Sequence, residues 1–261
     1  MDSWLREALV HDMTWSHSRV SCFGDCRYQW FLRYLAPPEG ERKKLFFASY
    51  GSFVHDLLAA YHRGEKEREK LVTAYLLGFR DAVPASAPNP KVFQNYFGEG
   101  LAYLKSLTPT GRSALEVEEK AEFRVDGYKF VGFIDLLEAD EGQLILVDHK
   151  SRNLKPRNLK RATKANDELD DCLRQLYLYS SYIRKRYGRF PDKLCFNCFR
   201  QGLVIEKPFY LDAYNNTMLW YSEKIHEIEH EEDFEPDIEF FKCRYLCDVN
   251  EHCEYYRLSK R

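Results

Sequence analysis

The sequence predicts an α/β or α+β fold in a single domain that spans residues 1–261. Apolar residues follow a helical period over the first hundred residues, and three short apolar runs separated by turn residues come next. A long helix, two further strands and a last helix complete the order, and no internal repeat or low-complexity linker divides the chain. This succession of helices and strands favours one mixed domain.

The amino-terminal portion, residues 1–110, is predicted to be helical. In residues 16–35, apolar and aromatic side chains recur at helical spacing, and Pro37-Pro38 ends the pattern. The same reasoning predicts three further helices, at residues 49–62, 67–82 and 92–107.

The central portion, residues 111–210, is predicted to carry the sheet. Asp126-Gly127 and Asp140-Glu141-Gly142 are turn signals between runs rich in Val, Ile, Phe and Leu, which predicts a three-stranded antiparallel meander. Its strands are expected at residues 116–125, 128–138 and 143–150. The elements expected after it are a helix at 168–187, strands at 193–200 and 203–210, and, within 211–261, a helix at 212–228 and a cysteine-bearing tail.

Composition excludes a membrane-spanning or globally disordered chain. The 261 residues are 44% hydrophobic and 15% aromatic, which is more aromatic content than a chain without a core needs. No apolar run approaches the roughly 18–20 residues of a membrane span, and the amino terminus, with Asp2, Glu7 and Asp12, lacks the basic-then-apolar pattern of a signal peptide. We expect a cytoplasmic protein without a membrane partner.

Charge is sorted along the chain, although the formal net charge is only −2. Residues 151–164 contain six basic residues and no acidic one, and residues 227–239 contain eight acidic residues and no Lys or Arg. The six basic residues are Arg152, Lys155, Arg157, Lys160, Arg161 and Lys164. Taken alone, each segment is most simply a solvated face.

Three residues on two neighbouring predicted strands indicate metal-assisted chemistry. Asp148 and Lys150 are two apart on one strand, so their side chains share a face, and Asp135 ends an apolar run on the strand beside it. Carboxylates brought together from adjacent strands repel each other, and a hard divalent cation with oxygen ligands relieves that repulsion. A lysine beside the cation can orient a water molecule or stabilise negative charge on a phosphate, which is what phosphodiester hydrolysis requires.

The alternative is that Asp135, Asp148 and Lys150 form an ordinary polar face of a hairpin. Both aspartates follow strongly apolar stretches, residues 131–134 and 144–147, where an ionised side chain is costly without a partner. This context favours the functional interpretation.

Eight cysteines in a chain without a secretory signal are more often thiols or metal ligands than disulfides. Cys243, Cys247 and Cys253 lie in a segment with little apolar periodicity, and a short segment of that kind often needs a metal. Three thiolates cannot close a four-coordinate site, so a fourth ligand is expected elsewhere, and Cys22 and Cys26 lie four apart on the first predicted helix. The cysteines interpreted as core residues are Cys22, Cys172, Cys195 and Cys198, with Cys22 also kept as the reserve fourth ligand.

Four motifs occur in a recognisable order: Gly51-Ser52-Phe53-Val54-His55, Gly132-Phe133-Ile134-Asp135, Asp148-His149-Lys150 and Gln175-Leu176-Tyr177-Leu178-Tyr179. They resemble the motifs of the PD-(D/E)XK nuclease superfamily, and within it the RecB-type branch that includes the CRISPR-associated adaptation nucleases. The resemblance covers most of the chain. It implies a restriction-endonuclease-like core with a central mixed sheet flanked by helices.

The resemblance implies a role for each motif residue. It implies that Mg²⁺ or Mn²⁺ is bound by four groups: His55, Asp135, Asp148 and the backbone carbonyl of His149. It implies that Lys150 is the catalytic lysine. Gln175 and Tyr179, four apart on one helix face, are implied to support the active site and to contact DNA.

The cysteines resemble those of the iron–sulfur members of this branch, which have one Cys on an early helix and three near the carboxyl end. The resemblance implies a [4Fe-4S] cluster on Cys26, Cys243, Cys247 and Cys253. This chain departs from the usual pattern in having C-x3-C-x5-C in place of C-x2-C-x5-C, and Arg27 where a Pro commonly follows the early Cys. Zinc is the alternative occupant and Cys22 the alternative fourth ligand.

The resemblance implies a metal-dependent DNA exonuclease that prefers single-stranded ends. It also implies a role in CRISPR adaptation, recombination or phage replication, with integrase, helicase or recombination proteins as partners. The basic residues of 151–164 follow the catalytic strand directly and are therefore predicted to contact DNA. The alternatives are a structure-dependent endonuclease and a non-catalytic DNA-end-binding adaptor. Asp135, Asp148 and Lys150 argue against the adaptor, since binding alone does not need them.

Overall fold

The structure, a computed structural model, describes residues 3–83 and 87–258. Its strands are β1 Ser113–Val125, β2 Tyr128–Asp140, β3 Gln143–His149, β4 Lys193–Cys198 and β5 Leu203–Pro208. Within the described residues they form one sheet in the order β1-β2-β3-β4-β5. The β3–β4 pair is parallel and the other neighbouring pairs are antiparallel. The expected mixed sheet is confirmed.

The predicted meander corresponds to β1, β2 and β3. In the turn between β1 and β2, Asp126 and Gly127 have φ values of 48° and 86°. In the turn between β2 and β3, Glu141 and Gly142 have φ values of 47° and 83°. Two consecutive residues with positive φ form the tight turn that matches the twist of paired strands. Strand β3 ends one residue before Lys150, whose backbone N–H donates to the carbonyl of Asn197 at 2.9 Å and so stays fastened to β4.

Helices flank the sheet. They are α1 Ser3–His11, α2 His17–Asp25, α3 Arg27–Tyr34, α4 Phe46–His62, α5 Arg68–Ala82, α6 Pro90–Ser106, α7 Lys164–Tyr187, α8 Leu211–His230, α9 Phe240–Tyr245 and α10 Glu254–Leu258. The predicted strand at residues 193–200 ends early, because Phe199–Gln201 form a 3-10 turn. Among the described residues, no helix is both long enough and apolar enough to cross a bilayer.

The two largest hydrophobic cores among the described residues hold most of the helices in place. The larger one joins α2, α3, α7 and α8 to the sheet and contains the fully buried Trp15 and Phe130. The smaller one joins α4, α5 and α6 and includes Phe199 from the turn after β4. Helix α4 also packs against β1 and β2. The cores therefore set two helices that carry motif residues, α4 and α7, against the strands that carry the aspartates.

The prediction of one continuous helix over residues 16–35 is wrong. The helix is interrupted at Cys26, which ends α2 and precedes α3 with extended backbone angles (φ −164°, ψ 112°). The sulfur of Cys26 accepts a hydrogen bond from the backbone N–H of Gln29 at 3.4 Å and thereby caps α3. Apolar residues on both sides keep a helical spacing, so periodicity does not reveal the break.

The acidic segment 227–239 is less solvated than its composition suggests. Arg27 forms ion pairs with Glu227 at 2.8 Å and with Glu231. The hydroxyl of Tyr128 donates to Glu229 at 3.4 Å. These contacts fasten the start of α3 and the hairpin of β1 and β2 to the end of α8.

Candidate active site

Two buried carboxylates lie side by side on the central strands. Asp135 is on β2 and Asp148 on β3, and their side chains are 11% and 6% exposed. Burial, and then repulsion from Asp148, raise the pKa of Asp135 to about 7. The pair therefore needs positive charge beside it.

The strand geometry is irregular where Asp135 lies. On β1, Glu118 has a φ of 50°, although the residues on either side of it pair regularly with β2. On β2, Ile134 and Leu137 pack in the larger core whereas Leu136 packs in a separate cluster, so the alternation of sides is interrupted. Such irregularities re-aim side chains and are frequent next to active sites. Here Glu118 comes to lie opposite Asp135.

His55 reaches this site from α4. Its Nε2 donates to the backbone carbonyl of His149 at 2.9 Å, and its Nδ1 lies 3.6 Å from Asp135 Oδ2 and 3.5 Å from Glu118 Oε1. The backbone N–H of His149 donates to the same Asp135 oxygen at 2.7 Å. Burial alone would lower the pKa of His55, but Glu118, Asp135 and Asp148 raise it to about 9. Without a metal, the imidazolium is the counter-charge of the carboxylates.

Lys150 supplies a second positive charge. Its Nζ lies 2.9 Å from Asp148 Oδ2 and donates to Gln175 Oε1 at 2.8 Å. The amide nitrogen of Gln175 in turn donates to the hydroxyl of Tyr179 at 3.4 Å. Burial alone would lower the pKa of Lys150, but Asp148 raises it above its ordinary value. A charged ammonium is thus held in one position by a carboxylate and an amide.

Gly132 permits helix α7 to approach β2. A Cβ atom at position 132 would lie 2.4 Å from the ring of Tyr179, closer than any side-chain carbon can come. The glycine three residues before Asp135 is therefore required for Tyr179, and through it Gln175, to lie beside the carboxylates.

The donor groups present fit a divalent cation. A ring nitrogen of His55 and one oxygen each from Glu118 and Asp135 all lie within 4.8 Å of one another. Carboxylate oxygens suit Mg²⁺ and Mn²⁺, and an imidazole nitrogen suits transition metals such as Mn²⁺. A second set of potential ligands, on the exposed surface of α8, consists of His226, Glu229 and His230.

A family model described as PD-(D/E)XK nuclease superfamily matches residues 14–254. The chain belongs to the PD-(D/E)XK nuclease superfamily. No curated protein matches it. Membership in this superfamily supports a nuclease with a DNA substrate and a divalent metal.

Two solved structures are similar to this superfamily member. One, described as "Putative exonuclease" from Eubacterium rectale, is 14% identical, with a TM-score of 0.48 over 96% of this chain and 91% of that chain. The other, the protein named SSO0001, is 15% identical, with a TM-score of 0.33 over 97% of each chain. The family membership rests on the sequence match and not on these two similarities.

The motif residues expected from the sequence of this PD-(D/E)XK protein lie together. The Asp135 carboxylate lies next to His55 and the backbone N–H of His149. Beside it, a chain of contacts runs from Asp148 through Lys150 and Gln175 to Tyr179. Sequence reasoning missed Glu118. The available signal was the run of charged residues at positions 118–120, which interrupts the alternation of apolar and charged residues along that strand.

The six basic residues predicted to contact DNA are placed differently from one another. Arg157 forms an ion pair with Asp170, and Arg152 donates to the sulfur of Cys172. The other four, Lys155, Lys160, Arg161 and Lys164, are exposed. Arg152 is exposed as well, although its guanidinium contacts Cys172, so five of the six basic residues are open to a phosphate backbone.

Four cysteines line one cavity at the carboxyl-terminal tail: Cys26, Cys243, Cys247 and Cys253. Cys22 lies in the larger core instead, where its sulfur accepts a hydrogen bond from Arg33 at 3.4 Å. All four lining cysteines are described residues, and no three of their sulfur atoms lie within 4.8 Å of one another. Sulfur atoms around a single tetrahedral zinc lie about 3.8 Å apart. Four cysteine sulfurs are suitable ligands for a thiolate-bound metal. In this structure they lie further apart than the sulfurs around one zinc ion would.

We expect Gly132→Ala to destabilise the protein by about 1–3 kcal/mol, because the added methyl group collides with the Tyr179 ring. Gly98→Ala is the control, since Gly98 is exposed in the middle of α6 with no atom near its Cβ position, and we expect it to stabilise by up to about 1 kcal/mol. Urea denaturation measures both. Equal stability of Gly132→Ala and the wild type would show that Tyr179 does not pack as described.

Proposed function

We propose that this protein hydrolyses DNA with the help of a divalent cation and acts as an exonuclease on single-stranded ends. The observation that carries the proposal is the buried Lys150 ammonium, held 2.9 Å from Asp148 and 2.8 Å from Gln175 beside Asp135. A cation in such a position can stabilise the negative charge that develops on a phosphate during hydrolysis. Membership in the nuclease superfamily supports the reaction class.

Each residue has a role that follows from its contacts. His55 and Asp135 would hold a divalent cation, which would act as a Lewis acid for the phosphate and make a water molecule at the site more acidic. Asp148 keeps the Lys150 ammonium charged and close to the sheet. Gln175 fixes the direction of that ammonium and is itself supported by Tyr179. Burial of this chain of contacts excludes water that would weaken it.

The DNA strand is proposed to enter along the segment that follows Lys150. The exposed residues Lys155, Lys160, Arg161 and Lys164 lie there, and lysine and arginine side chains neutralise phosphates irrespective of base sequence. The preference for single-stranded ends and a role in CRISPR adaptation, recombination or phage replication are proposed from the resemblance to the adaptation nucleases. Partner integrases, helicases or recombination proteins are proposed on the same ground.

We also propose that Cys26, Cys243, Cys247 and Cys253 bind a [4Fe-4S] cluster. Their arrangement around one cavity supports a shared metal centre, and four thiolate donors are the ligand set that such a cluster takes. Such a cluster would join the start of α3 to the tail and so stabilise the fold.

We expect Lys150→Ala to lower the rate of DNA cleavage by at least about 100-fold, because the charge beside the scissile phosphate is lost. The assay is digestion of end-labelled single- and double-stranded DNA with Mg²⁺ or Mn²⁺. Lys120→Ala is the control, since the Lys120 side chain on β1 is 59% exposed and its removal should leave the rate unchanged.

The products of the same digestion distinguish the alternatives. Shortening from one end gives a ladder that supports the exonuclease and reveals its direction, whereas internal cuts support a structure-dependent endonuclease. DNA binding without cleavage by either the wild type or Lys150→Ala contradicts the proposed hydrolysis and favours the adaptor.

We expect Cys26→Ser to remove the brown colour and the iron of the protein, and Cys22→Ser to keep both, because Cys26 lines the cavity and Cys22 does not. Visible absorption and iron analysis of anaerobically purified protein measure this, with about four iron atoms per chain expected for the wild type. A colourless wild type with stoichiometric zinc would overturn the iron–sulfur assignment.

A further inference from the structure

Glu118 is held in an unusual position. It lies opposite Asp135 with a φ of 50°, a value that residues with side chains rarely adopt and that costs about 1–3 kcal/mol. Its Oε1 is buried, and the group that faces it is His55 Nδ1 at 3.5 Å, which is too long for a good hydrogen bond. A buried carboxylate oxygen without a hydrogen bond is itself costly. These two costs would be offset by a ligand that the carboxylate helps to bind.

His55 is oriented towards the same position. Its Nε2 is engaged by the His149 carbonyl at 2.9 Å, which leaves Nδ1 facing Glu118 Oε1 at 3.5 Å and Asp135 Oδ2 at 3.6 Å. A hydrogen bond on one ring nitrogen commonly fixes the other as a metal ligand. Adjacent ligands in an octahedral Mg²⁺ shell lie about 3 Å apart. The two distances from His55 Nδ1 are close to this value, so small side-chain shifts would let the imidazole share a cation with each carboxylate.

We propose that Glu118 is a ligand of the divalent cation, together with His55 and Asp135. The inference rests on the proposed metal-dependent function and adds a third protein ligand from β1. Among described residues, the group of donors within 4.8 Å of one another contains Glu118 and does not contain Asp148, which is paired with Lys150. Glu118 therefore lies nearer to the His55–Asp135 position than Asp148 does, and its carboxylate adds the negative charge that binds the cation there.

The test is a calorimetric titration with Mn²⁺. All proteins carry His226→Ala and His230→Ala, so that the exposed ligands on α8 do not contribute. We expect Glu118→Gln to weaken Mn²⁺ binding by at least about tenfold. Glu119→Gln is the matched control, because the next residue on β1 contacts the Tyr182 hydroxyl at 3.5 Å instead, and its Mn²⁺ affinity should equal that of the parent.

Glu118→Gly is a second variant, chosen because glycine is compatible with the backbone conformation at position 118. Glycine adopts a φ of 50° without strain, so this variant keeps the fold while removing the carboxylate, and thermal unfolding checks that it is folded. We expect the same loss of Mn²⁺ affinity. Parent-like affinity in both Glu118 variants overturns the inference, even if the parent cleaves DNA. Weakened binding with no DNA cleavage by the parent keeps the inference and contradicts the nuclease proposal.

Discussion

Burial of Asp135 beside Asp148 is the constraint on which the rest of the site depends. Two carboxylates in a mostly apolar sheet repel each other, and each needs a cation or hydrogen bonds to stay charged. Asp135 is balanced by His55 and by the backbone N–H of His149, which donates to it at 2.7 Å. Asp148 is balanced by Lys150, two residues further along the chain.

This requirement explains why two helices lie so close to the strands. Helix α4 must approach near enough for His55 to contact the His149 carbonyl, and α7 near enough for Gln175 to contact Lys150. The second approach is possible because Gly132 leaves room for the Tyr179 ring. The two hydrophobic cores supply the packing that holds α4 and α7 in these positions. The packing of α4 and α7 against the strands therefore serves both the stability of the fold and the proposed chemistry.

Turn residues and hydrophobic periodicity predicted the sheet. They did not predict features that depend on contacts between distant segments of the chain. The turn at Asp126-Gly127 was readable because its residue types favour positive φ. The break at Cys26 was not, since its sulfur also contacts the backbone of Asp237, in the distant tail, at 3.4 Å. Glu118 was missed because its positive φ is not readable from its residue type, and the charged run 118–120 also fits a solvent-facing stretch of strand. The pairing of Arg157 with Asp170 was likewise invisible in a list of charges.

Anomalous diffraction from crystals grown with Mn²⁺ tests the central claim directly, because it locates the cation without relying on activity. The account predicts an anomalous peak within coordination distance of Asp135 and His55, with the Nδ1 of His55 turned towards it. Manganese bound only at the exposed His226 and His230, with His55 still paired to Asp135, would contradict a metal centre at His55 and Asp135.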